Sequence, residues 1–258
     1  MPRFAANLTW LFTELPLPER FAAAAAAGFR AVEILDPYAH PALEIAARCT
    51  AAGLAMVLVN APAGEAAKGE RGLAGLPGRE ADFDASIERA ISYAEAFHCT
   101  QLHVMAGLLH HGATRATYVA NLKRAAARVT KVGMTIVIEP INRRDVPGYF
   151  LNTLDEARSV IHEVAAANLG LQFDLYHRQM VAGDVVAAIR EFASITRHMQ
   201  LANPPDRGEP DAGELDYRYL FDVIDRSGFK GHIGCEYKPR TTTVAGLAWA
   251  ERLGVKLG

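Results

Sequence analysis

Eight short apolar runs are spread along the chain, and each ends in or beside a polar residue. They are FAAN (Asn7), AVE (Glu33), MVLVN (Asn60), QLHVMAG (His103), TIVIEP (Glu139), LQFD (Asp174), HMQLA (Gln200) and HIGCE (Glu236). The intervals between these polar residues are 26, 27, 43, 36, 35, 26 and 36, one strand-plus-helix unit each. The runs are nearly continuous rather than alternating, as strands covered on both faces are. Between them the apolar spacing changes to three and four. Residues 81–98 place Phe83, Ile87, Ile91, Ala94 and Phe97 on one helical face, and residues 121–132 do the same with Leu122, Ala125 and Val129. Thr153-Leu154-Asp155-Glu156 predicts a capping box opening a helix that buries Ala157, Val160, Ile161 and Val164. Residues 215–224 predict a helix through Tyr217, Leu220, Phe221 and Ile224. Gly28, Gly53, Gly133 and Gly228 fall where a left-handed residue closes a helix shortly before the next strand.

Eight strand-helix units predict an α/β chain folded as a closed (β/α)8 TIM barrel, one domain over residues 1–258. A doubly wound sheet is the alternative. It would want a glycine-rich loop after the first strand, and AANLTWLFTEL has none. In a barrel, the strand-terminal polar groups share the C-terminal mouth. Two segments are longer than the connections need: residues 60–80, rich in Gly and Pro, and residues 202–214. Both follow strands and so belong to that mouth, where long loops are commonly functional.

Composition narrows the picture. Half of the 258 residues are hydrophobic, enough for a full core, and the net charge is −2. No basic stripe suggests nucleic acid as a partner. The longest apolar run, FAAAAAAGF, is too short to span a bilayer, and the N-terminus lacks the pattern of a signal peptide. Cys49, Cys99 and Cys235 show no CxxC spacing and suit a reducing cytoplasm. Cys235 is read as core, pointing away from the mouth.

A carboxylate closing a buried strand is costly unless paired, protonated or bound to a metal. Glu139, Asp174 and Glu236 present that problem in nearby units, and a shared cation answers it better than separate ion pairs. Gln200 adds a neutral oxygen, or else hydrogen-bonds the same carboxylates in a polar cluster without metal. An all-oxygen set suits Mg²⁺ or Mn²⁺. His177 follows Asp174 by three residues and can reach a substrate oxygen. His103 reads equally as a buried structural residue, and His98, His110, His111 and His162 as structural or solvated. Arg71, Arg79, Arg207, Lys238 and Arg240 lie in the mouth loops. They would neutralise the carboxylates, hold an anionic substrate or face solvent.

These residues resemble the hydroxypyruvate isomerase family, within the xylose isomerase-like barrels. The resemblance runs end to end and is carried by RFAANL, GERGLAGLPGRE, IEPIN, DVPGYFL, FDLYHRQ, RGEPDAGELDY and GCEYKPRTTTVAGL. MPRFAANL and LHVMAG are also similar to the 2-oxo-tetronate isomerases, and QLANPPDRGEP departs from the common wording after Gln200. The resemblance implies a divalent metal on Glu139, Asp174, Gln200 and Glu236, with Glu139 and Glu236 as the catalytic acid/base pair. It implies interconversion of hydroxypyruvate and tartronate semialdehyde through an enediolate, in carbohydrate and glyoxylate metabolism. On that reading His177 and Arg207 orient substrate oxygens, and Lys238 or Arg71 holds the substrate carboxylate. The alternatives are a 2-oxo-tetronate isomerase and a ketose 3-epimerase, although the epimerases usually carry His where this chain has Gln200. An abasic-site endonuclease would want more histidines and a basic face, and a non-catalytic sugar-acid binder would not need four ligands. The expected partner is a small sugar acid, with no membrane. A homo-oligomer is left open.

Overall fold

The computed structural model describes residues 2–258. Eight parallel strands close on themselves in chain order: β1 (Arg3–Asn7), β2 (Ala31–Ile34), β3 (Ala55–Asn60), β4 (Gln101–His103), β5 (Thr135–Ile138), β6 (Leu169–Asp174), β7 (Thr196–Leu201) and β8 (His232–Cys235). The last strand pairs with the first through Phe4 and Ile233. The expected barrel is therefore the fold. Helices fill the intervals: α1 (Leu17–Ala26), α2 (Ala42–Ala51), α3 (Glu80–Phe97), α4 (Arg115–Thr130), α5 (Leu154–Val164), α6 (Leu175–Ala182), α7 (Val185–Glu191), α8 (Tyr217–Arg226), α9 (Thr243–Gly246) and α10 (Trp249–Leu253).

The helical periodicity found its targets, with shifted ends. Helix α3 buries Phe83, Ile87, Ala94 and Phe97 as its spacing requires. Helix α4 begins earlier than 121 because Thr114 caps it, its hydroxyl accepting from the Thr117 N–H. Helix α8 begins later than 215 because Asp216 is its cap. Gly28, Gly53, Gly133 and Gly228 all have positive φ, as closing residues should.

Alternation along each strand gives the barrel two faces. Outward residues pack under the helices in one large core, in which Phe4 meets Phe221 and Trp249 edge-on at 5.2 and 5.5 Å. A separate small cluster holds only Ala5, Ala31 and Val57. Ala5 shares its face with Asn7, and Ala31 with Glu33, so the barrel interior changes from small apolar to polar along the strands. Register brings Asn7 beside Glu33, Asp174 beside Gln200, and Gln200 beside Gly234. Cys235 is fully buried in the large core, as expected, and all three cysteines are free.

The capping box at Thr153 is complete: the hydroxyl accepts from the Glu156 N–H, and the Glu156 carboxylate accepts from the Thr153 N–H at 2.9 Å. Thr153→Ala should cost about 1 kcal/mol and lower the melting temperature by roughly 2–4 °C, a shift calorimetry can read.

Candidate active site and metal centre

The mouth opens into a cavity of about 850 Å³ whose lining includes His103, Glu139, Gln172, His177, Arg207 and Glu236. Glu139 and Glu236 follow directly after β5 and β8, and Asp174 ends β6. All three are buried. Asp174 also caps α6, its Oδ1 accepting from the Tyr176 and His177 N–H groups. That cap holds the carboxylate in place and turns His177 back toward it. His177 Nε2 lies 3.8 Å from Glu139 Oε1 and 3.7 Å from Asp174 Oδ2.

Hydrogen bonding fixes the tautomer of His177. The backbone N–H of Asp145 donates to Asn142 Oδ1 at 2.9 Å, so the amide presents Nδ2 to His177 Nδ1 at 2.7 Å. Nδ1 is therefore the acceptor, and in the neutral ring Nε2 carries the proton. Burial, then Arg207 and His103, hold His177 well below the usual imidazole range, so the ring is neutral. It faces the carboxylates as an N–H donor, the role of a group that orients a substrate oxygen.

The carboxylates crowd one another. Burial, followed by Glu236 and Asp174, raises Glu139 well above the ordinary range. Burial pushes Glu236 up to about 8 against the opposing pull of Arg207. Asp174 is raised by burial and held back by Arg207 and its two backbone donors. Among the described residues Glu139 Oε1 is buried without a hydrogen-bond partner.

Arg207 is the positive charge in this cluster. Its Nη2 lies 2.5 Å from Glu236 Oε1 and 3.5 Å from Asp174 Oδ2, and Nη1 is 3.4 Å from Asp145 Oδ2. Its guanidinium also lies over the rings of Trp10 and Tyr176, at 4.8 and 5.0 Å. The loop carrying it is pinned from inside. Asn203 Nδ2 donates to the carbonyls of Pro210 and Leu215, while Asn203 Oδ1 accepts from the Leu215 N–H. A side chain at Gly213 would strike the Pro204 carbonyl at 2.3 Å, so only glycine lets this loop close.

Of the other expected residues, Arg71 lines the outer cavity and Lys238 does not. Lys238 is exposed, and its contribution to the mouth is a backbone N–H donated to the Arg207 carbonyl. Arg79 is paired with Glu70 and Asp82, and Arg240 with Glu209, which makes both of them loop staples. His103 comes closer to the chemistry than expected. It lines the cavity with Nε2 3.7 Å from Glu139 Oε2, and burial holds it down to about 3. Gln200 is buried beside Asp174, its amide held between Glu33 and Gln172. Residues 61–64 and 66, 70 and 71 of the first long loop form one wall of the cavity.

The donors fit a hard divalent cation. Glu139 and Asp174 offer oxygens within 4.8 Å of one another and of a His177 ring nitrogen, Glu139 Oε1 has no hydrogen-bond partner among the described residues, and burial and mutual repulsion raise the carboxylates. The Gln200 oxygen accepts one hydrogen bond and keeps a second lone pair. The His177 tautomer leaves the oxygen donors as the better ligands.

A family model described as xylose isomerase-like TIM barrel matches residues 21–253. The chain belongs to that family. A 2-oxo-tetronate isomerase of Cupriavidus necator is 53% identical over 253 residues, covering 96% of this chain and 97% of the relative. Hydroxypyruvate isomerase of Escherichia coli is 41% identical, covering 97% and 99%. A crystal structure from Brucella melitensis, described as an AP endonuclease of family 2, superposes with a TM-score of 0.95 at 43% identity, covering 98% and 99%. The family expected from the motifs is therefore the family found, and its curated relatives are isomerases.

The raised carboxylates carry a pH signature. Between the free-chain value of 4.5 and about 8, folded Glu236 holds a proton that the unfolded chain releases, and Glu139 adds to this. That contribution to stability is present at low pH and is lost as pH rises through the window. His103 and His177 act oppositely, but only below about 6.5, where unfolded histidine begins to protonate. The melting temperature of the metal-free protein in EDTA should fall as pH rises from 6.5 to 8.5; a flat or rising profile would contradict the crowding of these carboxylates.

Proposed function

We propose that the protein is a metal-assisted isomerase that moves a carbonyl between C2 and C3 of a short hydroxy acid, interconverting hydroxypyruvate and tartronate semialdehyde. The observation that carries this reading is two buried glutamates, Glu139 and Glu236, lining one cavity with a neutral histidine donor and an arginine. The C3–H beside the carbonyl is weakly acidic. One glutamate takes that proton, the other returns a proton to C2, and the C3 hydroxyl proton passes to the C2 oxygen as the carbonyl re-forms at C3. His177 Nε2–H donates to a substrate oxygen and Arg207 orients the substrate from the carboxylate side. Arg71, on the outer wall, is placed to hold the substrate carboxylate.

Mg²⁺ or Mn²⁺, held by Glu139, Asp174, Glu236 and the Gln200 oxygen, would supply electrostatic stabilisation to the enediolate oxygens. The lone pair left on Gln200 and the bare Glu139 oxygen support that set.

A second reading, 2-oxo-tetronate as substrate, is favoured by the higher identity to the Cupriavidus necator relative. The two acids share the reacting C2–C3 unit and differ in what C3 carries, so one mechanism serves both. An endonuclease, suggested by the Brucella melitensis description, needs a basic track for the phosphate backbone. Here the net charge is −2, and Arg79, Arg240 and Arg252 are spent on Glu70, Glu209 and Asp211. No nucleic-acid or membrane partner is proposed; among the described residues no helix is long and apolar enough to cross a membrane. Three free, buried cysteines accord with a reducing cytoplasm.

Metal-loaded protein in D₂O, given hydroxypyruvate and separately 2-oxo-tetronate, tests the assignment by NMR. Faster turnover of hydroxypyruvate, lost in EDTA, is expected. Preference for the four-carbon acid would select the second reading, and no exchange with either would remove both. Glu139→Gln and Glu236→Gln should each lower kcat by roughly 10²–10⁴-fold, the range for a lost acid/base group. Near wild-type turnover by either variant with metal bound would exclude that residue from proton transfer.

A further inference from the structure

Beneath the carboxylates, a chain of side chains crosses the barrel interior. It starts at a donor of fixed sense: the backbone N–H of Thr9 donates to Asn7 Oδ1 at 3.0 Å. The Asn7 amide must then present Nδ2 to Glu33 Oε1, at 2.7 Å. Glu33 Oε1 accepts there and accepts again from Gln200 Nε2 at 2.8 Å. The other Glu33 oxygen lies 2.6 Å from His198 Nε2. With its Nε2 end taken by Glu33, Gln200 turns Oε1 toward Gln172, which lines the cavity and donates to it at 2.7 Å. Glu33, Gln200 and His198 are fully buried, so no water competes for these bonds. The seat is built for the carboxylate. A side chain on Gly234 of β8 would meet Glu33 Oε1 at 2.3 Å.

We propose that Glu33 is a positioning residue that fixes which end of the Gln200 amide faces the metal centre. An amide has a donor end and an acceptor end of nearly the same shape, and only the oxygen end can bind a cation. Nothing in the shape of Gln200 selects between them. The selection comes from Glu33, whose carboxylate takes the NH₂ end and leaves the oxygen on the Gln172 side. His198 and Asn7 hold the carboxylate, and Gly234 leaves it room. The inference rests on the reading of Gln200 as a metal ligand.

The test is Mn²⁺ titration of the metal-free, full-length protein, with free Mn²⁺ read by electron paramagnetic resonance. Groups that orient a ligand from behind typically cost 10–100-fold in metal affinity when removed. Glu33→Leu should weaken Mn²⁺ binding by about tenfold or more, Gln200→Leu by a similar factor, and the double variant no further than Gln200→Leu alone. Glu33→Gln should bind nearly as wild type. Its carbonyl can still accept from Asn7 and Gln200, while its NH₂ faces His198, which can take the other tautomer. Should Glu33→Leu fail to fold, Glu33→Asp keeps the charge, withdraws the acceptor from Gln200 and should show the same loss. Wild-type affinity in Glu33→Leu or Glu33→Asp, or losses that multiply in the double variant, would overturn the proposal. Wild-type affinity in Gln200→Leu would instead overturn the ligand reading of Gln200.

Discussion

Three carboxylates share one buried volume at the mouth of this barrel, and they cannot all be ionised there without positive charge. The surroundings respond to that constraint. Arg207 is brought in on a loop braced by Asn203, its guanidinium over the rings of Trp10 and Tyr176 and placed against Glu236 and Asp174. Asp174 takes two backbone donors at the start of α6. Among the described residues Glu139 receives no donor on its Oε1. Such an imbalance would be a defect in a purely structural cluster. It keeps one carboxylate oxygen free to bind a cation, as the metal-assisted reading requires.

The barrel and the three carboxylates were legible because both follow from periodicity. A carboxylate closing a buried strand stands out against its neighbours, and strands spaced by whole helical units put such groups at one mouth. Arg207 was visible as a mouth residue, but Lys238 was equally visible, and only the course of the loop separates them. Arg207 sits at positive φ and turns inward, whereas Lys238 lends only its backbone. Asn142 and Asp145 fell inside recognisable motifs, yet their task, setting the tautomer of His177, is a matter of which atom faces which. No spacing rule encodes that. Glu33 stood out as polar in its apolar run, but its partners Gln200 and His198 are more than 160 residues distant in sequence.

The two faces of the strands divide the labour of this fold. The large core lies outside the barrel, between strands and helices, where Phe4, Phe221 and Trp249 interlock. Inside the barrel a small apolar cluster of Ala5, Ala31 and Val57 gives way to Asn7, Glu33, His198 and Gln200. Hydrophobic stabilisation is therefore gathered where no chemistry happens. The interior can then hold a hydrogen-bonded polar network, which adds little net stability but dictates orientation. Gly234 shows the trade at one position: any side chain there would add apolar contact to the interior and would displace the carboxylate that orients Gln200. A barrel whose core lay inside would have no room for that carboxylate, and so no means of telling the two ends of an amide apart.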